Sequence, residues 1–345
     1  MRPDSEADLA AMVRAASGPL SITGGASRLY PGEGQGTRID MRGLAGITLY
    51  EPEALTLIAR AGTPLAKIEA ALAAEGQMLG FEPDPRPGST IGGVVAANAS
   101  GPRRVAVGAC RDALLGVRFV SGEGEIVANG GRVMKNVTGY DLVKLMAGSR
   151  GGLGAITEVA LKTAPLPPLR ATLRLEAADH ARAIAALVAA LSGPNDVTGA
   201  ARLPDGRVIL RLEGLPGSVE LRARALTEAL APFGATELIE GDADFHALRD
   251  FAAGGTGPLW RIVLRPSQAG AVLAQLPGRH AVDWGGALIW AEAPEGWRPD
   301  LPPGVRATCM RGEAVSLPAP DPVTARLNAG LRTKFDPRGL FEGAS

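Results

Sequence analysis

Between Thr23 and Gly154 the chain passes three times through a glycine cluster flanked by hydroxyl side chains. The clusters are Thr23-Gly24-Gly25-Ala26-Ser27, then Pro87-Gly88-Ser89-Thr90-Ile91-Gly92-Gly93 running on to Asn98-Ala99-Ser100-Gly101, and then Gly148-Ser149-Arg150-Gly151-Gly152-Leu153-Gly154. No charged residue falls between Pro87 and Pro102. Backbone without Cβ atoms turns tightly and lets another group approach closely. One such cluster is compatible with a plain turn. Three in succession point to a large, flat, phosphate-bearing ligand lying along main chain. A strand that runs into two glycines can aim several N–H groups at one point and so build an anion nest. Each hydrogen bond to a charged oxygen contributes about 1.5–3 kcal/mol, so roughly three or four of them hold a pyrophosphate without a lysine. The hydroxyls of Thr23, Ser27, Ser89 and Thr90 would add donors. The common nucleotide signatures are absent: no Gly-x-Gly-x-x-Gly opens a helix, and Gly-Lys never occurs.

Composition narrows the class. At ~150 residues per domain, 345 residues suggest two domains. With 46 glycines but 46% hydrophobic residues and no low-complexity tract, the glycine serves turns rather than disorder. Aromatics at 4% leave few stacking platforms for single strands. Lys+Arg at 36 balances Asp+Glu at 36, so no bulk positive field exists to neutralise nucleic acid or an anionic membrane. Cys110 and Cys309 are too far apart in sequence, and too few, for a disulfide scaffold or a four-cysteine cluster. No apolar run is long enough to span a bilayer. The acidic, amphipathic start (Asp4, Glu6, Asp8) is unlike a signal peptide, and the expected location is cytoplasmic.

Periodicity predicts a helix over 5–17, a strand over Leu20–Thr23, and a helix in which Thr63 caps, Pro64 opens and Leu65, Ile68 and Leu72 form the stripe. Val117–Val120 and Glu125–Ala128 flank a turn and read as a hairpin, Asp141–Met146 as a short helix, and Ala155–Leu161 as a strand. Ala164-Pro165-Leu166-Pro167-Pro168 is a stiff connector. Beyond it, Arg170–Glu176, Ala181–Leu191, Val197–Leu203, Arg207–Leu212, Val219–Leu230 (Ser218 as cap) and Thr236–Glu240 give β-α-β-β-α-β, a ferredoxin-like order. A comparable order recurs over 258–310. The expected domains are 1–168, 169–318, and a C-terminal helix and tail, 319–345, that returns to the first.

Three stretches carry a family resemblance: Thr23-Gly24-Gly25-x-Ser27; Thr90-Ile91-Gly92-Gly93-x-x-Ala96-x-Asn98-Ala99-x-Gly101; and Gly148-Ser149-x-Gly151-x-Leu153-Gly154-x-Ile156-Thr157. With these, residues 1 to 168 resemble the FAD-binding domain of the vanillyl-alcohol oxidase / p-cresol methylhydroxylase (PCMH-type) superfamily. Gly101-Pro102-Arg103-Arg104, Val133-Met134-Lys135-Asn136-Val137-x-Gly139-Tyr140-Asp141-Leu142 and Asp283-Trp284-Gly285-Gly286-Ala287-Leu288 are similar to the FAD-binding E subunits of bacterial glycolate oxidases. The resemblance implies an α+β protein, with a PCMH-type domain of two α+β subdomains followed by a ferredoxin-like α+β cap domain. It implies FAD held by Thr23, Gly24, Gly25, Ala26 and Ser27, by Pro87, Gly88, Ser89, Thr90, Ile91, Gly92 and Gly93, by Asn98, Ser100 and Gly101, and by Gly154 and Ile156. It also implies a larger FAD-containing subunit and an iron–sulfur subunit as partners. The reaction implied is oxidation of the small 2-hydroxy acid glycolate to glyoxylate, with electrons passed to an acceptor other than oxygen and any membrane association made through partners. The tail, Asp336-Pro337-Arg338-Gly339-Leu340-Phe341 and then Glu342-Gly343-Ala344-Ser345, departs from the family's ending.

Catalytic residues stay unassigned. The histidines, His180, His246 and His280, all lie beyond the connector, and none has a partner at metal-ligand spacing, so no metal site is expected. With no histidine before residue 180, a histidyl link from the first domain cannot form. Cys110 reads as a small buried residue, and FAD is expected to be non-covalent. His180 reads as a solvated or capping residue. Tyr140 with Asp141 is either a catalytic pair or a buried hydrogen bond closing a loop. Arg103 and Arg104 could take a substrate carboxylate, FAD phosphates or an acidic patch on a partner. Two alternatives stay open: a stand-alone FAD-dependent dehydrogenase, and a scaffold subunit that binds FAD weakly.

Overall fold

A computed structural model describes residues 1–84, 86–132, 139–312 and 320–343. The Val133–Val137 part of the matched stretch lies outside the described residues. The chain forms two compact units: Met1–Ser100 with Gly108–Leu166 and Ala319–Ser345, and Gly101–Val107 with Pro167–Pro318. Gly101–Val107, which sequence reading places in the first domain, therefore packs in the second unit.

The first unit contains two α+β parts. In the smaller, Leu20–Thr23 pairs in parallel with Thr37–Asp40, and the helix Glu6–Ala15 buries Leu9, Ala10 and Val13 against Leu20 and Ile39. Ser5 caps that helix by accepting from Asp8 N. The tail completes this part. Leu20 donates to Leu340 O at 2.7 Å and accepts from Glu342 N at 3.2 Å, so Phe341 bridges Leu20 in parallel fashion. The Asp336 carboxylate accepts from Leu340 N and Phe341 N at 3.0 and 2.7 Å and fixes the turn into that run.

The larger part is a five-stranded antiparallel sheet in the order Ile47–Glu51, Thr56–Arg60, Ala155–Lys162, Leu114–Val120, Ile126–Gly130. The helix Leu65–Ala74 buries the expected stripe of Leu65, Ile68 and Leu72 against Phe81, Val94, Phe119 and Met146. Thr63 is not its cap: Pro64 takes that position, and the Thr63 hydroxyl instead accepts from Gly46 N and donates to Arg60 O at 2.6 Å. The connector is not free chain at its start, because Ala164–Pro165 pairs with Gln77–Met78.

The second unit is one eight-stranded antiparallel sheet, ordered Thr236–Glu240, Leu169–Glu176, Arg207–Gly214, Gly199–Arg202, His280–Asp283, Leu288–Glu292, Leu259–Val263, Arg306–Arg311. Numbered within each half, the strands run 4-1-3-2 and then 2-3-1-4. Two ferredoxin-like modules thus meet edge to edge at the pair Arg202/Val282. The first module has both its helices, His180–Ser192 and Pro216–Leu230. The latter starts with Leu215 as N-cap and Pro216 in its first turn, so Ser218 lies inside the helix rather than capping it. The second module has only Pro266–Leu273. Its other crossover, 293–305, contains four prolines and no helix, and fills the gap with Trp297 and Leu301. A further helix, Ala243–Ala253, covers the other face through Phe245 and Leu248.

Candidate cofactor site

The strand Leu20–Thr23 delivers the chain into the first glycine loop, which lines a narrow cleft partly open to solvent. Ten of the expected residues meet there: Thr23, Gly24, Gly25, Ala26, Ser27, Thr90, Gly92, Gly93, Gly154 and Ile156. The main-chain N–H groups of Gly24, Gly25, Ala26 and Ser27 donate to no acceptor among the described residues. Ala26 holds φ at 55°, a conformation that costs a non-glycine residue about 1–3 kcal/mol and clusters at functional sites. An added Cβ at Gly93 would meet only Thr90 Oγ1, at 3.4 Å, so that part of the cleft wall is bare backbone. These free donors and the exposed backbone fit a pyrophosphate-bearing cofactor.

The other glycines serve packing. A Cβ on Gly25 would lie 1.7 Å from Gly88 O, and one on Gly24 would lie 2.1 Å from Thr90 Oγ1. The first loop therefore sits directly on the second. A Cβ on Gly92 would meet Ala61 at 2.6 Å, where Gly92 N donates to Ala61 O.

Seven expected residues do not line the cleft. Pro87 leads into Gly88, and Gly88, at φ 72°, backs the first loop. Ile91 is a fully buried core side chain. Asn98 Oδ1 accepts from Arg111 N, and Ser100 Oγ accepts from Cys110 N, so both order the turn into the helix Cys110–Ala113. The Gly101 carbonyl accepts from Trp284 Nε1 at 3.1 Å within the second unit. The Ser89 hydroxyl accepts from Arg28 Nη2. Thr23 and Thr90, although they line the cleft, also turn their hydroxyls to protein: Thr23 accepts from Arg38 Nε, and Thr90 caps the helix Ile91–Ala96. Of the four hydroxyls expected as donors, only Ser27 is without a protein partner among the described residues.

Two arginines that sequence reasoning passed over also line the cleft. Arg150, at φ 53°, donates to Glu33 through Nε at 3.0 Å and to Arg28 O at 2.8 Å, and its guanidinium stacks 3.4 Å from the Tyr30 ring centre. It ties the third glycine cluster to the first. Arg28 is buried and pairs with Asp84, which also pairs with Arg86; Arg86 in turn donates to Ser27 O. These contacts tie the first cluster to the second. Burial alone would raise the Asp84 carboxyl, but Arg28 and Arg86 outweigh it and hold it below the usual range.

Comparison with known proteins points to FAD as the cofactor. A family profile described as FAD binding domain matches residues 1–130. Over 332 residues the chain is 39% identical to glycolate oxidase subunit GlcE of Escherichia coli (strain K12), covering 94% of this chain and 91% of that protein. The chain belongs to the GlcE family of FAD-binding glycolate oxidase subunits. Glycolate oxidase subunit GlcD of Bacillus subtilis (strain 168) is 34% identical over 172 residues, 48% of this chain and 36% of that protein. Alkyldihydroxyacetonephosphate synthase shares the fold, with a TM-score of 0.69 at 15% identity over 99% of this chain and 76% of that one. The fold is thus the PCMH-type α+β fold, and the family's cofactor is FAD.

Within this family member the remaining candidates have other surroundings than expected. Tyr140 is 88% exposed and closes no buried loop; its carbonyl accepts from Asn129, while Asp141 caps the helix Leu142–Met146. Arg103 is buried against Glu213 in the second unit, and Arg104 lies 4.4 Å from the Trp284 ring centre. His180 is half-buried and is not a cap: Asp179 caps its helix, and the His180 ring stands edge-on to His280 at 5.2 Å. Burial and then Arg202 hold both imidazoles below their usual range.

Cys110 is fully buried, and burial pushes its thiol up to about 12. Since the thiolate is the reactive form, Cys110 in the native chain is expected to resist iodoacetamide at pH 8 and to be alkylated only after unfolding, as mass spectrometry would show. Alkylation of Cys110 in the native chain would mean that the site opens.

Proposed function

We propose that this chain is the FAD-holding subunit of a glycolate oxidase complex, working with a larger flavin-containing subunit and an iron–sulfur subunit. In this reading it relays electrons or holds the assembly, and the chemical step on glycolate takes place on the larger subunit. One observation carries the second point. The only titratable side chains lining the cleft, among the described residues, are Arg28 and Arg150, and both are engaged with carboxylates. No carboxylate, imidazole or phenol stands there to take the hydroxyl proton of a 2-hydroxy acid.

Bound FAD supplies a two-electron acceptor for oxidation of glycolate to glyoxylate. The chain's own part is to present the Gly24–Ser27 amides and the bare backbone at Gly93 to the cofactor, with the three loops braced by Arg28 and Arg150. Cys110 is fully buried with its thiol held protonated, and every histidine lies in the second unit, which supports non-covalent retention.

The purified chain should be yellow, and acid precipitation should release its flavin completely. Glycolate should leave the flavin bands unchanged in the chain alone and bleach them once the partner subunits are added. Bleaching by glycolate in the chain alone would place catalysis here instead. Protein that stays colourless after incubation with FAD would leave only a scaffold role.

A further inference from the structure

We infer that Arg28 is the counter-charge for the cofactor's diphosphate, supplied from beneath the first glycine loop by a cluster that keeps one positive charge in excess. The inference rests on the FAD reading above and adds a side chain to what is otherwise a main-chain site.

Two guanidiniums, Arg28 and Arg86, share the single carboxylate of Asp84. Neither has another carboxylate partner among the described residues, so the cluster's net charge is one positive. The other cleft arginine differs, because Arg150 is matched one to one by Glu33. Arg28 follows directly on the four amides that lack protein acceptors and itself lines the cleft. Its Nη groups are fixed by Asp84 Oδ1, Asp84 O and Ser89 Oγ, whereas its Nε is buried without any hydrogen-bond partner. An excess charge in a partly desolvated setting attracts an anion more strongly than one at the surface. Burial already drags the Arg28 guanidinium below its usual range despite Asp84, so a diphosphate nearby would be favourable to it. Arg28 thus acts as a positioning residue through its charge, and the amides make the contacts.

The test is titration of FAD onto the flavin-free full-length chain, followed by flavin fluorescence at low and high KCl, for wild type, Arg28→Met and Arg28→Lys. Arg28→Met should weaken FAD binding roughly 10- to 100-fold, the span of one charge-assisted interaction. It should also flatten the dependence of affinity on salt. Arg28→Lys, which keeps the charge, should stay within severalfold of wild type and keep the salt dependence. Thermal melting of the flavin-free forms shows whether Arg28→Met folds; if it does not, Arg28→Lys decides alone. An Arg28→Lys chain that folds yet binds as weakly as a charge-free site would overturn the inference, as would equal salt dependence in wild type and Arg28→Met. Failure of wild type itself to bind FAD would instead remove the cofactor reading on which the inference stands.

Discussion

Gly25→Val is expected to abolish flavin retention. The first Cβ would already sit 1.7 Å from Gly88 O and 2.5 Å from Gly88 C, and neither belongs to a flexible side chain that could swing away. Either the first loop lifts off the second or the chain around Gly88 shifts. Overpacking of this kind costs about 1–3 kcal/mol and more where backbone must move. The four free amides of Gly24–Ser27 would be displaced together, so the cofactor loses several bonds at once. The measurement is flavin content of the purified variant, with melting of the second unit as the control. Gly93→Ala makes the contrast. Its Cβ meets only Thr90 Oγ1 at 3.4 Å, so the flavin-free protein should melt as wild type while FAD affinity falls. Full flavin content in Gly25→Val would show that the loop is not the binding element.

Glu213→Ala should have the largest effect on stability. Its side chain is 4% exposed and pairs with Arg103, with Arg170 at 3.2 Å and with Arg211 at 3.8 Å; the Arg211 side chain has no exposure at all. Asp242 stays 3.4 Å from Arg170 and 3.6 Å from Arg211, but losing one carboxylate of a buried ion network leaves surplus positive charge there and costs up to about 3–5 kcal/mol, equivalent to roughly 10 °C in the melting of a unit of this size. All these residues lie in the second unit, so flavin content below the transition should be unchanged. Calorimetry showing no shift would mean that the arginines find other partners. The same network explains why Arg103 is a poor candidate for a substrate carboxylate: its guanidinium is buried and already bound to Glu213.

The local chemistry of this fold was legible in its residues, and the long-range contacts were not. Glycines beside hydroxyl residues marked all three loops that converge, because the need for bare backbone is written at the position itself. The roles of Arg28 and Arg150 were hidden, since their carboxylate partners lie 56 and 117 residues away and no local pattern announces such a pair. Caps failed where proline intervened: Thr63 and Ser218 are good capping residues, but Pro64 and Pro216 set where each helix begins. The succession of strands along each half of the second unit followed from local periodicity. That the halves form one continuous sheet depends on the register of Arg202 against Val282, which no periodicity encodes. Asn98 and Ser100 matched the family pattern by position, yet their side chains order the turn toward Cys110, so a motif match located the segment without fixing the job of each atom.

Leu20 is flanked on one side by Thr37 and on the other by Phe341, so the strand that feeds the first glycine loop gains its second neighbour from a stretch synthesised more than 300 residues later. Domains tend to fold in the order in which they leave the ribosome. Here the amino-terminal unit would have to wait. A nascent chain halted before Leu340 should carry a half-zipped Leu20 edge and capture flavin poorly, whereas one released beyond Glu342 should load at once.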